Sequence, residues 1–212
     1  SYWLLNPVRP EYMGLLAVAI GGLHLGLAKA LWNMTAETEK DNLPALAAIG
    51  IALTFITIAV PVQFSGFRIT MAWAIEGAGL AWVASRFGST WFRVGSVTVL
   101  VLTIARLASV DSSMYSSVDP YSIIANARFL TFAVTAVSLW ASAKFFQSVS
   151  AHAAGMMFVS GHGVMLIGLA IELGAWVDRS FPDESGKSVM TVGLSILLAL
   201  YGLLLIILGV AT

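Results

Sequence analysis

The 212-residue chain is 58% hydrophobic and 10% charged, with a mean hydropathy of +0.88, against about half apolar and about a quarter charged in soluble domains. Eleven Lys and Arg balance eleven Asp and Glu, so nothing suggests a nucleic-acid partner, which would need a clustered basic face. The sequence has no Cys, so disulfides, thiolate catalysis and cysteine-ligated metals are excluded as well.

A soluble domain of this length could not hide so much apolar surface, and lipid is the solvent that fits. The chain opens SYWLLNPVRP, with no basic n-region and cleavage site, and closes LLLIILGVAT straight out of an apolar run. Both ends read as cut, so residues 1–212 are expected to be one transmembrane helical domain from a longer polytopic protein. A spanning helix takes about 20 mostly apolar residues at about 1.5 Å of rise each. By that measure the fold class is an all-α polytopic transmembrane bundle of about seven spans, at 11–33, 43–64, 68–87, 90–109, 124–146, 153–177 and 188–210.

Along the chain, Pro10, Pro44 and Pro120 sit just before or at helix starts, where a missing N–H costs little. Pro61 falls near the end of the second span and is expected to kink or end it. The first and third spans carry small residues four apart, Gly22 with Gly26 and Ala74 with Ala78, and the sixth repeats this with Ala170 and Gly174. Such spacing lets helix backbones approach closely in lipid, and ordinary packing is its expected use. Short connections imply up–down neighbours; the two longer ones, 110–123 and 178–187, are polar. The stretch SVDSSMYSSVDPYS (109–122) reads as a solvated loop, with a sugar or cation contact as the alternative.

If residue 1 marks side A, that side carries Arg9, Arg68, Arg106, Arg128, Arg179 and Lys187, and side B carries Lys29, Lys40, Arg86, Arg93 and Lys144. Six against five sets no orientation by the positive-inside rule. The acids Asp111, Asp119, Asp178, Asp183 and Glu184 on side A favour a cytoplasmic side B.

Ionisable residues inside the spans carry more information. Glu76 lies eight residues into the third span, about 12 Å from side A by helical rise. Arg106 ends the fourth span, Arg128 is a turn into the fifth, and Glu172 lies about a turn and a half below the side-A end of the sixth. Two acids and two bases from four consecutive helices thus share one half of the membrane. The helical neighbours of Glu76 are Ala72, Trp73, Gly79 and Leu80; those of Glu172 are Gly168, Leu169, Ala175 and Trp176. Each glutamate has small residues where a helix can close in, and a Trp able to anchor the edge. The echo of AIEGAGLAW (74–82) in AIELGAW (170–176) suggests a repeat.

An ionised side chain at a helix centre costs roughly 2.5–3.5 kcal/mol on insertion scales. A proton on the glutamate, or pairing with Arg106 or Arg128, removes that charge or offsets it. Two readings stay open: ion pairs that fix helix packing, or a polar cavity opening to side A. Trp73, Asp111 and Trp176 are secondary candidates for the same region. His24 and His162 lie mid-span and His152 at a helix start, with no metal-face spacing and no HExxH, so interhelical hydrogen bonding is expected and no metal or cofactor is. No GxSxG, Walker A, GxGxxG or paired-aspartate motif marks an enzyme.

The order of several segments resembles a family. PVQFSGFRITMAWAIEGAGLAWVASRFG is followed by FRVGSVTVLVLTIARLASVD, NARFLTFAVTAV, IGLAIELGAWVDRSF and LLALYGLLLIILGV. This series resembles the bacterial predicted membrane proteins grouped as domain of unknown function 2339. The matching positions are Trp73, Glu76, Gly77, Arg93, Gly95, Arg106, Asp111, Arg128, Phe129, Glu172, Tyr201 and Gly209; before Val60 the likeness is one of character only. The resemblance implies a long chain with further helices bearing a Lys and an Asp, in the bacterial cytoplasmic (inner) membrane, and it implies no activity.

Three functions are therefore carried forward. The first is a transport or envelope-assembly component whose Glu76, Arg106, Arg128 and Glu172 line a cavity for a polar or anionic solute. The second is a membrane scaffold or partner-binding protein in which those residues only lock helices. The third is a lipid- or sugar-modifying enzyme using Glu76 or Glu172 as an acid–base group. Expected partners are the lipid bilayer, helices of the same longer chain, and a membrane protein or small polar solute.

Overall fold

The computed structural model describes residues 12–36, 43–111, 122–183 and 185–211. Arg9, Pro10, Lys40, Asp119, Pro120, Glu184 and most of the hydroxyl-rich 109–122 stretch lie outside them. Among the described residues there are seven α-helices and no strand: α1 (Met13–Ala36), α2 (Leu43–Gln63), α3 (Phe67–Phe87), α4 (Thr90–Arg106), α5 (Ala127–Phe146), α6 (Ala151–Ser180) and α7 (Ser185–Ala211). Each expected span coincides with one of them.

Six of the seven are long and apolar enough to cross a membrane: Met13–Met34, Pro44–Val62, Thr90–Asp111, Ala127–Phe146, Ala151–Ser180 and Ser185–Ile207. The helix over the expected third span, α3, is not among them. Its three charged residues, Arg68, Glu76 and Arg86, hold its hydropathy down. Pro61 sits in the last turn of α2, which ends two residues later at Gln63.

The chain forms two compact units, Ser1–Glu76 and Gly77–Thr212, with the boundary inside α3. In the first, α1 packs on α2 through small residues seven apart. Gly14, Gly21 and Ala28 are buried on α1, and Ala45, Ala52 and Ala59 on α2. A methyl group at Gly21 would lie 3.1 Å from the Ala52 carbonyl oxygen, so the backbones approach as closely as their shape allows. The expected close-packing pair Gly22 and Gly26 does not serve this contact, because both face open space. A four-residue spacing is satisfied by several faces of a Gly- and Ala-rich helix. Only contact with α2 selects the face.

The second unit is built on α4, α5 and α6, with α7 against α6. The buried line of α6 runs Ala154, Met157, Gly161, Val164, Gly168 and Glu172, at steps of three or four residues. That spacing belongs to gently crossing, left-handed helix pairs. A Cβ at Gly168 would stand 2.8 Å from the Cβ of Phe132, and one at Gly161 would stand 2.6 Å from the indole nitrogen of Trp140. Both glycines are therefore required for α5 and α6 to meet. Beside Phe132 and Trp140, α5 also buries a polar line: Arg128, Thr131, Thr135, Ser138 and Ser142. Thr131, Thr135 and Ser142 bond back to carbonyls four residues earlier at 2.7–2.8 Å, so these hydroxyls need no partner across the interface. After Arg106, α4 continues as a π-helical turn, Leu107–Asp111, which packs against α5 and buries Asp111 completely.

Candidate functional site

The second unit holds a closed polar clasp. Arg128, in the first turn of α5, sends Nε and Nη2 to Oε1 of Glu172 on α6, at 3.1 and 2.9 Å. Their side chains are 5% and 3% exposed. The other carboxylate oxygen is filled as well. Asn126 donates Nδ2–H to Oε2 at 2.6 Å, and the backbone N–H of Ile124 donates to it at 3.3 Å. Asn126 is also the N-cap of α5, its Oδ1 accepting from the Phe129 N–H at 2.8 Å, while Nδ2 also reaches the Ser122 carbonyl at 3.0 Å. One carboxylate thus ties the lead-in strand of residues, the cap and the first turn of α5 to the middle helix of the unit. It also lies at the positive end of the α5 dipole, which favours its charge further.

The lead-in to α5 is strained. Ile124 has φ 67° at the centre of a γ-turn closed by the Ala125 N–H on the Ile123 carbonyl at 2.7 Å. A β-branched residue in that region is disfavoured by about 1–3 kcal/mol. The Ile124 N–H bond to Glu172 offsets part of that strain.

Beside the clasp is a groove of 480 Å³ lined by Arg128, Ile171, Gly174, Ala175, Asp178 and Arg179. Its charges are mixed. Arg128 faces Glu172, Asp178 stands next to Arg179 in the chain, and Arg179 also reaches the Ala175 carbonyl at 3.1 Å. The groove is polar without a net charge to spend on an anion. Trp176, expected to anchor this edge, makes an edge-to-face contact with Phe181 at 5.7 Å between ring centroids. Arg106 is half-buried, and both it and Asp111 are engaged in interactions of their own.

Glu76 closes the first unit and has different company. Thr57 of α2 donates its hydroxyl to Glu76 Oε1, and the other oxygen, Oε2, is buried with no hydrogen-bond partner among the described residues. The Thr57 hydroxyl also stands 2.9 Å from the Leu53 carbonyl of its own helix. Trp73, one turn before Glu76, directs its indole N–H to the Thr57 carbonyl at 3.4 Å. The secondary candidate Trp73 and the candidate Glu76 therefore converge on one threonine. Of the four ionisable residues singled out, the structure pairs Arg128 with Glu172 and gives Glu76 a hydroxyl.

Sequence reasoning missed Thr57, Asn126 and Ile124. Asn before ARFL has the form of an N-cap, a readable signal. Thr54 and Thr57 are the only hydroxyls between Leu43 and Val62, a weaker one. Nothing local marks Ile124. The histidines behave as interhelical and intrahelical hydrogen-bonding groups. His162 Nδ1 lies 2.8 Å from the Tyr201 hydroxyl of α7, with Trp140 and Phe158 packed on its ring at 4.8 and 4.5 Å, and His24 Nδ1 lies 2.8 Å from the Ile20 carbonyl.

The family model described as predicted membrane protein DUF2339 matches residues 1–212. No curated protein and no solved structure matches the chain.

Proposed function

The chain belongs to the predicted membrane proteins of DUF2339, and from that premise we propose that it is a transport component for a polar solute in the bacterial cytoplasmic membrane, with Glu76 as its working acid. The observation that carries this reading is the company Glu76 keeps. It is held by a neutral hydroxyl, with one carboxyl oxygen buried and unpartnered among the described residues. A group so placed is poorly used as a structural tie, and a part-buried acid with no base bonded to it among the described residues is a functional candidate. The groove at Arg128 and Arg179 supports a polar or zwitterionic solute over an anion, since its basic groups have acids close at hand.

The test uses the full-length protein in a strain lacking it. Glu76→Gln is expected to keep the normal membrane level and to lose complementation. Glu172→Gln is expected to lower the level itself. The reading fails if Glu76→Gln complements fully, or if it depletes the protein as far as Glu172→Gln does. The competing scaffold reading is favoured by a specific observation, the complete saturation of Glu172. Full complementation by Glu76→Gln would select it.

A further inference from the structure

Hydrogen counting at Thr57 goes further than naming Glu76. A threonine hydroxyl has one hydrogen to give. Thr57 Oγ1 has two oxygen neighbours at bonding distance, the Leu53 carbonyl at 2.9 Å and Glu76 Oε1. Neither of those oxygens brings a hydrogen if Glu76 is a carboxylate. Three oxygens would then share one hydrogen, and a formal charge would sit beside apolar neighbours with its second oxygen, Oε2, buried and unpartnered. An uncompensated charge in such surroundings costs several kcal/mol. One added hydrogen resolves both problems. With Oε1–H donating to Thr57 Oγ1, and Thr57 Oγ1–H donating to the Leu53 carbonyl, every close oxygen pair has its hydrogen and no charge remains.

Among the described residues of the first unit, no base offers an alternative partner along the same face. Besides Glu76, its described titratable groups are Tyr12, His24, Lys29 and Arg68. Tyr12, Lys29 and Arg68 are exposed, and Arg68 is eight residues from Glu76 on the same helix, about 12 Å by helical rise. His24 is engaged with the Ile20 carbonyl and stacked on Phe55 at 6.1 Å. The α2 helix, which supplies Thr57, contains no charged residue.

We infer that Thr57 and Glu76 form a proton-binding site, in which the carboxylic acid hands its hydrogen bond through the threonine hydroxyl to the backbone of α2. This rests on the reading of Glu76 as the working acid and names the ion it works with. Loading adds one proton to the carboxylate. Unloading leaves the carboxylate, and the Thr57 hydroxyl then turns from Leu53 to Glu76 Oε1. The Leu53 carbonyl tolerates this, because the helix still supplies it with a backbone N–H four residues on. The site thus has two hydrogen-bond states that differ by one proton and one hydroxyl rotation.

Infrared difference spectroscopy on the full-length protein in phosphatidylcholine vesicles tests this. Subtracting Glu76→Gln from the natural protein is expected to reveal a carboxylic-acid carbonyl band that shifts in heavy water. In Thr57→Val the band is expected to persist and to move to higher frequency, because the acid O–H has lost its acceptor. Glu76→Asp, which keeps the acid, is expected to retain a displaced band and controls for misfolding of the glutamine variant. The inference is overturned if Glu76→Gln removes only carboxylate bands, or if sodium ions shift those bands, which would make the site a cation site. Missing acid bands with lost complementation would sink the proton and spare the working acid. Acid bands with full complementation would do the reverse.

Discussion

Two glutamates sit in nearly the same local sequence, AIEGAGLAW at Glu76 and AIELGAW at Glu172, and they end in opposite circumstances. Glu172 is 2% exposed and accepts from Arg128, Asn126 and the Ile124 backbone. Glu76 is half-buried, contacts Thr57 and leaves one oxygen unpartnered among the described residues. A saturated buried carboxylate is a constraint: every partner must stay in place, and motion there breaks several bonds at once. A carboxylate with an unused oxygen retains a choice of partner. Within one membrane protein the same side chain is thus held by four hydrogen bonds in one unit and by a single hydroxyl in the other.

The contrast can be broken most forcefully at the fastening. Glu172→Ala strands Arg128 in a buried position and is expected to destabilise the full-length protein by about 3–5 kcal/mol, read as loss of folded protein during heating in detergent. Should Glu76→Ala destabilise as much, the two acids are not different in kind. Arg128→Lys keeps the charge but cannot place two nitrogens on Oε1, and a loss of about 1.5–3 kcal/mol is expected from the same melting experiment.

Packing around the fastening gives a smaller effect. Gly168→Ala drives a methyl group against the Cβ of Phe132, and about 1–3 kcal/mol of destabilisation is expected. Gly22→Ala and Gly26→Ala, which meet nothing within 4 Å, are expected to leave stability unchanged or raise it by up to about 1 kcal/mol through helix propensity. Equal melting shifts at Gly168 and Gly26 would undo the assignment of the packing face. Asn126→Ala removes both an N-cap and one bond to Glu172, for about 0.5–2 kcal/mol. Thr57→Val removes the hydrogen bond to Glu76, for about 0.5–1.5 kcal/mol, and its further consequence belongs to the state of Glu76.

The amino-acid sequence by itself determined the solvent and the elements. Apolar runs of about 20 residues bounded by Gly, Pro and charge are local features, and backbone groups in lipid must be satisfied within the helix, so each run becomes a helix wherever its neighbours sit. The same logic made Glu76, Arg106, Arg128 and Glu172 stand out, because charge in an apolar run is visible without a partner. Tertiary structure decided which acid received a base. Arg128 is 44 residues from Glu172, and Thr57 is 19 from Glu76; the first separation is closed by packing of Gly161 and Gly168 on α5, the second by α3 lying against α2, where Trp73 also reaches the Thr57 carbonyl. Small-residue spacing alone admits several helix faces, as the idle Gly22 and Gly26 demonstrate. A hydrogen bond has a range of about 3 Å, so the fate of each carboxyl follows from which face is chosen, and that choice is made by the neighbouring helix.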